Sequence, residues 1–352
     1  MTETKKTSWL KRNKWKILIG TVVALVLSLA IPLPYYIEMP GDSTDVRRVL
    51  QVNGKEDEAS GEYQFVTIQM APANLPMLIY AWLTPFTDIQ AKDDVTGGGS
   101  NQDFMRINQF YMESSQNMAT YQGLKAAGKK VEMKYEGVYV LNVTKDSSFK
   151  GILNIADTVT KVNDKSFDSS PQLIEYVSSQ KIGDKVKVTY QEDGKTKEAE
   201  GKIIKLQNGK NGIGIGLTDH TSVQTDTKID FSTVGIGGPS AGLMFSLDIY
   251  TQVAEPNLRN GRVIAGTGTI EKDGKVGDIG GIDKKVYAAH KAGASIFFAP
   301  NNPVTDEMKK INPKAKTNYE TAVEAAKQLK TDMKIVPVTS LQDAITYLKT
   351  HS

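Results

Sequence analysis

The sequence contains no cysteine, and this absence removes several kinds of chemistry at once. Disulfide bonds, thiolate nucleophiles and cysteine-based zinc sites are all excluded. Histidine is almost as scarce, with His220, His290 and His351 scattered along the chain and no H-E-x-x-H pattern. We therefore expect neither a metal site nor any other cofactor.

Two further absences limit the partners. The sequence has no G-x-x-x-x-G-K-[ST] motif, so no P-loop is present and we expect activity without ATP. Lys and Arg number 43 against 40 Asp and Glu, and six of the basic residues fall in positions 1–16 beside one acidic residue. The rest of the chain is therefore slightly acidic and lacks the excess of basic residues that is typical of nucleic-acid-binding proteins.

A long uncharged run follows the basic tail 1–16. Residues 17–37 carry no charge and are numerous enough to cross a bilayer as a helix. Because the basic side stays inside, the sequence predicts a single-pass anchor in the cell membrane with the bulk of the chain outside. A cleaved signal peptide is the alternative, since Ser28-Leu29-Ala30 is a small-x-small site, and it also places the bulk outside the cytoplasm.

The stretch most suggestive of catalysis is Gly237-Gly238-Pro239-Ser240-Ala241-Gly242, which an apolar run follows. Glycines around a Pro-Ser pair predict a tight turn at the start of a buried helix. Unpaired backbone N–H groups and the positive end of the helix dipole meet there, so Ser240 could be a nucleophile beside an oxyanion site. The alternative is a glycine turn that a serine caps.

A second motif lies downstream, with Gly266-Thr267-Gly268-Thr269 followed by a run that fits G-x-V-x-x-I-G-G-I-x-x-K-x-x-A-A-x-x-A-G over 274–293. The two motifs in this order closely resemble the proteolytic domain of the Lon family. The resemblance implies that Ser240 is the nucleophile and Lys285 its base. It also implies that Thr267 is a hydrogen-bond partner of the lysine. Thr269 stands where the family has a glutamate.

The chemistry agrees with these roles. A lysine can accept the serine proton only if its pKa falls from about 10.4 toward neutrality, and burial has that effect. The helix after Lys285 is apolar enough to bury the amine, whereas Lys284 would point about 100° away into solvent. The oxyanion would be held by the amides of Ser240 and Gly238. The alternative for Lys285 is an ordinary solvent-facing helix lysine.

The middle of the chain, 130–206, is similar to bacterial PDZ domains in its succession of strands and one helix. Such domains bind a peptide as an added strand. The resemblance implies that the peptide meets the loop and strand at Gly137, Val138 and Tyr139, with Leu173 and Val177 on the adjacent helix. The alternative is a PDZ fold that serves only as a spacer.

The sequence thus predicts an α/β (α+β) Lon-type proteolytic domain, made of 38–129 and 207–352, with the mostly-β PDZ domain inserted and one N-terminal transmembrane helix. We expect a serine endopeptidase that cleaves exported peptides or unstructured segments, which the PDZ domain selects by their C-terminus. The main alternative is a non-catalytic surface scaffold or chaperone. A weaker one is a penicillin-binding amidase, because Ser147-Ser148-Phe149-Lys150 fits S-x-x-K, but no S-D-N or K-T-G accompanies it.

Overall fold

The computed structural model describes residue 9 and residues 13–351. The helices, labelled α1 to α10 in chain order, are Lys14–Ala30, Leu75–Leu83, Lys92–Thr96, Asn101–Ala126, Ser170–Ser178, Gly242–Ala254, Ile282–Lys291, Asp306–Ile311, Asn318–Leu329 and Leu341–Thr350. The strands, labelled β1 to β17, are Tyr35–Asp45, Leu50–Val52, Glu62–Pro72, Asp88–Ala91, Val131–Val143, Thr158–Val162, Lys185–Glu192, Lys195–Lys202, Ile204–Lys205, Asn211–Gly212, Ile215–Thr225, Ile229–Phe231, Val263–Gly266, Thr269–Ile270, Val276–Gly277, Ile296–Pro300 and Lys334–Val338. The mixed α/β class that the sequence predicted is confirmed.

A six-stranded sheet in the order β17-β16-β13-β3-β1-β4 forms the centre of the larger domain. The strands β17, β16, β13 and β3 run parallel, whereas β1 lies antiparallel between β3 and β4. The strands β1, β3 and β4 precede the PDZ-like segment in the chain, and the others follow it. Both ends of the chain therefore build one domain around an insertion.

Helices cover both faces of this sheet, because alternate strand residues point to opposite sides. In β16, Ile296 and Phe298 pack against α4, α6 and α10, while Phe297 and Ala299 pack against α7 and α9. The helices α4 and α6 approach closely at Gly123, where a Cβ would lie 2.8 Å from the Cβ of Ile249. This contact places α4 against the helix that follows the predicted nucleophile.

The smaller domain has a five-stranded sheet in the order β11-β5-β6-β7-β8. Helix α5 packs on this sheet, and the two enclose a hydrophobic core separate from that of the larger domain. Strand β11 pairs with β5 along its whole length and forms the edge of this sheet. The sequence had assigned that strand to the segment 207–352. It belongs with the PDZ-like sheet because its Ile215 and Leu217 pack on the same core.

The N-terminal region departs from the predicted helix over 17–37. Helix α1 ends at Ala30, and β1 begins at Tyr35 with Ile37 fully buried under α2. In the part of the chain that the structure covers, none of the helices has both the length and the apolar character that a membrane crossing requires. Residues 1–8 and 10–12 of the predicted basic tail lie outside the described residues.

Candidate active site

Ser240 lies in the turn that leads into α6. Gly238 adopts a φ of 86°, which a side chain would disfavour, and this turn brings Ser240 to the start of the helix. Helix α6 itself is buried from Gly242 to Thr251, so the turn rests on a rigid element. The Ser240 carbonyl accepts a hydrogen bond from the Gly268 N–H at 2.9 Å, which ties the turn to the second motif.

Lys285 projects from the first turn of α7 toward that serine. Its Nζ lies 2.6 Å from Ser240 Oγ and 3.0 Å from Thr267 Oγ1, and the residue is 2% exposed. Helix α7 begins after Gly281, whose φ of 64° lets the chain turn sharply into the helix. The structure thus brings together Ser240, Lys285 and Thr267, three residues that the sequence singled out.

The surroundings of Lys285 favour the uncharged amine. Burial lowers the pKa of Lys285 to about 7, because the ammonium form loses its hydration, while the nearby carboxylate of Glu38 acts in the opposite direction. At neutral pH a large fraction of the amine therefore carries a lone pair and can accept a proton. This is the property that a general base needs.

Thr267 is the second hydrogen-bond partner of the Lys285 amine. Its side chain is fully buried, and its hydroxyl donates to the Ser240 carbonyl at 3.1 Å. A threonine hydroxyl has one hydrogen, so toward Lys285 Thr267 can only accept. A neutral amine that donates one N–H to Thr267 has a lone pair available to accept the hydroxyl proton of Ser240.

The oxyanion donor predicted at Gly238 is not free in this structure. Its N–H donates to the carbonyl of Asn108 on α4 at 2.8 Å, and Ser115 Oγ on the same helix donates to the Pro239 carbonyl at 3.0 Å. Within residues 13–351, by contrast, nothing accepts a hydrogen bond from the Ser240 N–H. Helix α4 thus holds the loop 236–241 around Ser240, which we call the nucleophile loop, and nothing in the local sequence indicated this contact.

A cavity of about 310 Å³ opens beside the serine. Its lining includes Val66, Thr67 and Ile68 of strand β3, and also the loop 236–241 and Lys285. Strand β13 pairs with β3 only as far as Phe65, so beyond that residue β3 has β1 on one side and an open edge toward the cavity. An extended peptide could add to this edge.

Lys284 is buried, contrary to the expectation of a solvated side chain. It is 2% exposed and forms ion pairs with Asp88 on β4 and with Asp283. The reason is that the start of α7 packs against β1 and β4, which present acidic groups that the sequence alone could not place there. These partners keep the pKa of Lys284 above its ordinary value despite burial.

Glu38 on β1 was also missed. It is buried, accepts a hydrogen bond from Gln90, and lies so close to Gly281 that a side chain there would collide with its carboxylate. Burial raises the pKa of Glu38, and the carboxylate in turn opposes the loss of the proton from Lys285. No sequence signal pointed to this residue, because it lies far from both motifs in the chain.

The PDZ residues fall elsewhere than expected. Val138 and Tyr139 lie in β5, where β11 pairs with them on one side and β6 on the other, so no edge is open for a peptide. Gly137 faces Val159 of β6 too closely for any side chain, and Leu173 and Val177 belong to the domain core. This arrangement contradicts the peptide contacts predicted at Gly137, Val138, Tyr139, Leu173 and Val177.

Of the two edge strands of this sheet, β11 and β8, β11 is the one that lies beside α5. The Ser170 N–H at the start of α5 donates to Asp219 Oδ1 of β11 at 3.0 Å. Across the start of this strand the chain reads Gly212-Ile213-Gly214-Ile215-Gly216-Leu217, and Gly214 has a φ of 76°. This alternation of glycine with apolar residues was the signal that could have located the edge from sequence.

Helix α4 joins the two domains. The ring of Phe110 stacks on Tyr139 with 3.6 Å between centroids and meets His220 edge-on, and Asn117 Nδ2 donates to the Thr221 carbonyl at 2.8 Å.

Within the described residues, no cluster of three acidic or histidine side chains is arranged to hold a metal ion.

Comparison with known proteins finds two families that match consecutive parts of the chain. Residues 126–203 match the family described as PDZ domain, and residues 198–349 match the Lon protease (S16) C-terminal proteolytic domain. The Lon protease of Metamycoplasma arthritidis is 31% identical over 143 residues, which are 41% of this chain and 15% of that protein. The Lon protease of Campylobacter concisus is 31% identical over 109 residues, 31% of this chain and 11% of that protein. The chain thus matches only a small part of the length of these relatives.

Among solved structures, the PDZ domain of the SdrC-like protein from Listeria monocytogenes is 36% identical, covers 24% of this chain and 90% of that one, and has a TM-score of 0.23. The corresponding domain from Listeria innocua is 41% identical, with 24% and 96% coverage and the same TM-score. The two family matches, rather than these structures, show a PDZ domain followed by a proteolytic domain of the kind found at the C-terminus of Lon proteases.

Proposed function

We propose that this chain is a serine peptidase in which Ser240 is the nucleophile and Lys285 is the general base. The observation that carries the proposal is the 2.6 Å separation of Ser240 Oγ and Lys285 Nζ in a site where burial lowers the lysine pKa to about 7. The match to the Lon proteolytic domain supports a serine peptidase of this class.

The reaction proceeds in two halves. The neutral amine of Lys285 takes the hydroxyl proton of Ser240 while Oγ attacks the scissile carbonyl carbon. The resulting ammonium then gives that proton to the leaving nitrogen, the C–N bond breaks, and an ester remains on Ser240. Water attacks the ester with its proton passing to Lys285, and the acid leaves as the proton returns to Ser240.

The oxyanion of each intermediate needs preorganised donors. The unengaged Ser240 N–H supplies one. The Gly238 N–H supplies a second only when the nucleophile loop separates from the Asn108 carbonyl, which now holds it at 2.8 Å. The described conformation is thus a resting one, and the loop around Gly238 is the part that changes when substrate is bound.

The substrate is an extended peptide that adds to the open edge of β3. The cavity beside Ser240 is about 310 Å³ and too small for a folded domain, and the sequence has no P-loop to drive unfolding with ATP. We propose ATP-independent cleavage of peptides or unstructured segments. The PDZ domain selects them by pairing with a free end along β11, so that cleavage occurs near the C-terminus.

The cellular location forms a separate part of the proposal. The basic residues before α1 and the uncharged side chains of α1, none of which is buried, favour attachment of the N-terminal region to the cell membrane with the catalytic domain outside. Membrane fractionation and protease treatment of intact cells test this part. Recovery of the native chain in the cytoplasmic fraction would contradict it.

Cleavage of an unstructured fluorogenic peptide by the purified chain tests the peptidase. Ser240→Ala and Lys285→Ala should each reduce kcat by at least about 10³-fold, because each removes a reacting group. Lys291→Ala is the matched control, since Lys291 is an exposed lysine at the other end of α7, and it should retain wild-type activity. Unchanged cleavage after either dyad substitution would disprove the assigned roles.

A non-catalytic scaffold that binds peptides through its PDZ domain is the second candidate. The observation in its favour is the engaged Gly238 N–H, which leaves the oxyanion site incomplete. A fluorophosphonate probe that labels reactive serines separates the two. Labelling that Ser240→Ala abolishes supports the peptidase, whereas an inert Ser240 under conditions of tight peptide binding supports the scaffold.

A further inference from the structure

The outer face of α2 is an exposed apolar surface of the larger domain. Helix α2 places Met77, Leu78 and Ala81 against the buried Ile37 of β1. Its opposite side exposes large apolar residues, which we call the α2 face: Leu75, Ile79, Tyr80, Trp82 and Leu83. A helix at the surface of a domain usually has a polar side that faces the solvent. Apolar residues on both sides of α2 therefore require a second apolar neighbour.

The residues of this face have the spacing of a packing surface. Leu75, Ile79 and Leu83 are four residues apart, and Trp82 lies beside them, so the side chains form one stripe. Trp82 is 83% exposed and Leu83 is 69% exposed. No charged residue occurs between Ala71 and Thr87, so the stripe lies in an uncharged surround.

Helix α1 continues this surface. Asn74, which caps α2, donates its side-chain N–H to the Leu29 carbonyl at the end of α1, and the Leu33 N–H donates to the Ala73 carbonyl. The end of α1 and the start of α2 therefore meet at one junction. The uncharged residues of α1 are exposed on every side of that helix, from Ile17 to Leu29.

We propose that the α2 face docks on a lipid bilayer and holds the catalytic domain against the membrane surface. A protein groove buries one stripe of a helix, whereas an apolar helix with no polar side fits a surrounding apolar medium such as lipid. Because the α2 face adjoins that helix, the same medium covers both. Helix α2 is about 13 Å long, too short to span a bilayer, so it lies along the interface, where Trp82 and Tyr80 are favoured.

This inference goes beyond the peptidase and does not depend on it, but it rests on the proposed membrane attachment. The test uses the full chain with Trp9→Phe and Trp15→Phe, which leaves Trp82 as the remaining tryptophan. The chain is incorporated into phosphatidylcholine vesicles with either ordinary or brominated acyl chains, and bromine quenches any tryptophan within contact distance. The control carries Trp82→Phe and Ile311→Trp in the same background, since Ile311 on α8 is 87% exposed.

We expect Trp82 to lose more than about half of its emission in brominated vesicles, because interfacial helices place their apolar side at the acyl boundary. The Ile311→Trp reporter should lose little. Equal Trp82 emission in both vesicles while the chain floats with them would overturn α2 docking and leave N-terminal attachment intact. A chain that does not float would overturn both. A lipid-free dimer that Leu83→Asp dissociates, with Trp82 unquenched in vesicles, would show that a second copy covers the face instead.

Discussion

At the scale of single residues, the buried amine of Lys285 makes activity depend on pH in a defined direction. Its pKa is lowered to about 7, and only the neutral form accepts a proton, so kcat/KM should rise about tenfold per pH unit below that value and level off above it. The ionised Glu38 carboxylate raises the pKa of Lys285. Glu38→Gln should therefore move the acid limb to lower pH, by less than about one unit.

The measurement is a pH profile of kcat/KM for the wild type and Glu38→Gln. Gln retains an acceptor for the Gln90 side chain, so the substitution changes mainly the charge. Glu324→Gln on α9, an exposed position, is the control and should leave the limb in place. A limb that stays fixed, or moves to higher pH, in Glu38→Gln would show that this carboxylate does not act on the base.

The same burial predicts that Lys285 destabilises the fold. An unfolded chain binds the lysine proton up to a pH near 10.5, whereas the folded chain releases it near 7, so folding at pH 7 costs on the order of 4 kcal/mol through this group. The cost falls as pH rises toward 10.5, because the unfolded chain then loses the proton too. Lys285→Met should thus raise the free energy of unfolding at pH 7 by about 1–3 kcal/mol, part of the gain being offset by lost hydrogen bonds.

Urea unfolding of wild type, Lys285→Met and the exposed control Lys291→Met at pH 7 and pH 10 measures this effect. The advantage of Lys285→Met over the wild type should shrink at pH 10. An advantage that is equal at both pH values would come from packing alone and would contradict a buried neutral amine.

At the scale of elements, strand β11 should be the peptide-binding edge of the PDZ domain. An added strand protects the amides of the edge it joins, so hydrogen exchange over Ile215–Asp219 should slow when a PDZ-binding peptide is present. The amides of Val138 and Tyr139 are already enclosed by β11 and β6, so their exchange should change little. Protection that appears first at Val138 and Tyr139 would restore the interpretation made from sequence.

Helix α4 should couple that edge to the nucleophile loop. It contacts the PDZ sheet through the Phe110 stack on Tyr139, and two residues earlier Asn108 holds the Gly238 N–H. A peptide bound at β11 should release this N–H as a second oxyanion donor. It should then raise kcat on a separate short substrate by roughly tenfold or more, since one such donor is worth about 10²-fold.

Phe110→Leu should reduce this activation, because leucine cannot reproduce the ring stack. Phe167→Leu, a substitution in the PDZ core that does not touch α4, should preserve it. The readout is the ratio of kcat with and without the PDZ peptide, measured for each variant. A ratio that Phe110→Leu leaves unchanged would show that the two domains act independently.

At the scale of the whole molecule, the site residues within the two motifs could be predicted from the sequence. The contacts that distant strands and helices make with the site could not. Ser240, Thr267 and Lys285 lie in two motifs of recognisable pattern, so their convergence could be expected. Asn108 and Glu38 act on the site from α4 and β1, far away in the chain, and nothing in their neighbours signals this. Lys284 is buried for the same reason, because its partner Asp88 reaches it through β4.

The PDZ edge was misplaced for a different reason. In a five-stranded sheet the edge is decided by which strand lacks a second neighbour, and β5 loses its open side to β11, which follows some 70 residues later. Local alternation identifies a strand but not its partners. The glycine pattern at the start of β11 is visible in the sequence, but the sequence analysis places it in the segment 207–352.

The last prediction concerns what the molecule can degrade. The cavity of about 310 Å³ and the open edge of β3 admit a single extended chain. Unfolding a typical domain costs about 5–15 kcal/mol, and the sequence contains no P-loop through which ATP could supply this free energy. A disordered protein should be cleaved, and the same segment placed inside a folded domain should resist, with or without ATP. A destabilised variant of that domain should be cleaved at a rate proportional to its unfolded fraction, because opening precedes cleavage. Equal cleavage of the stable and destabilised domains would contradict this prediction, because it would require an unfolding activity that the cavity and the open edge of β3 do not provide.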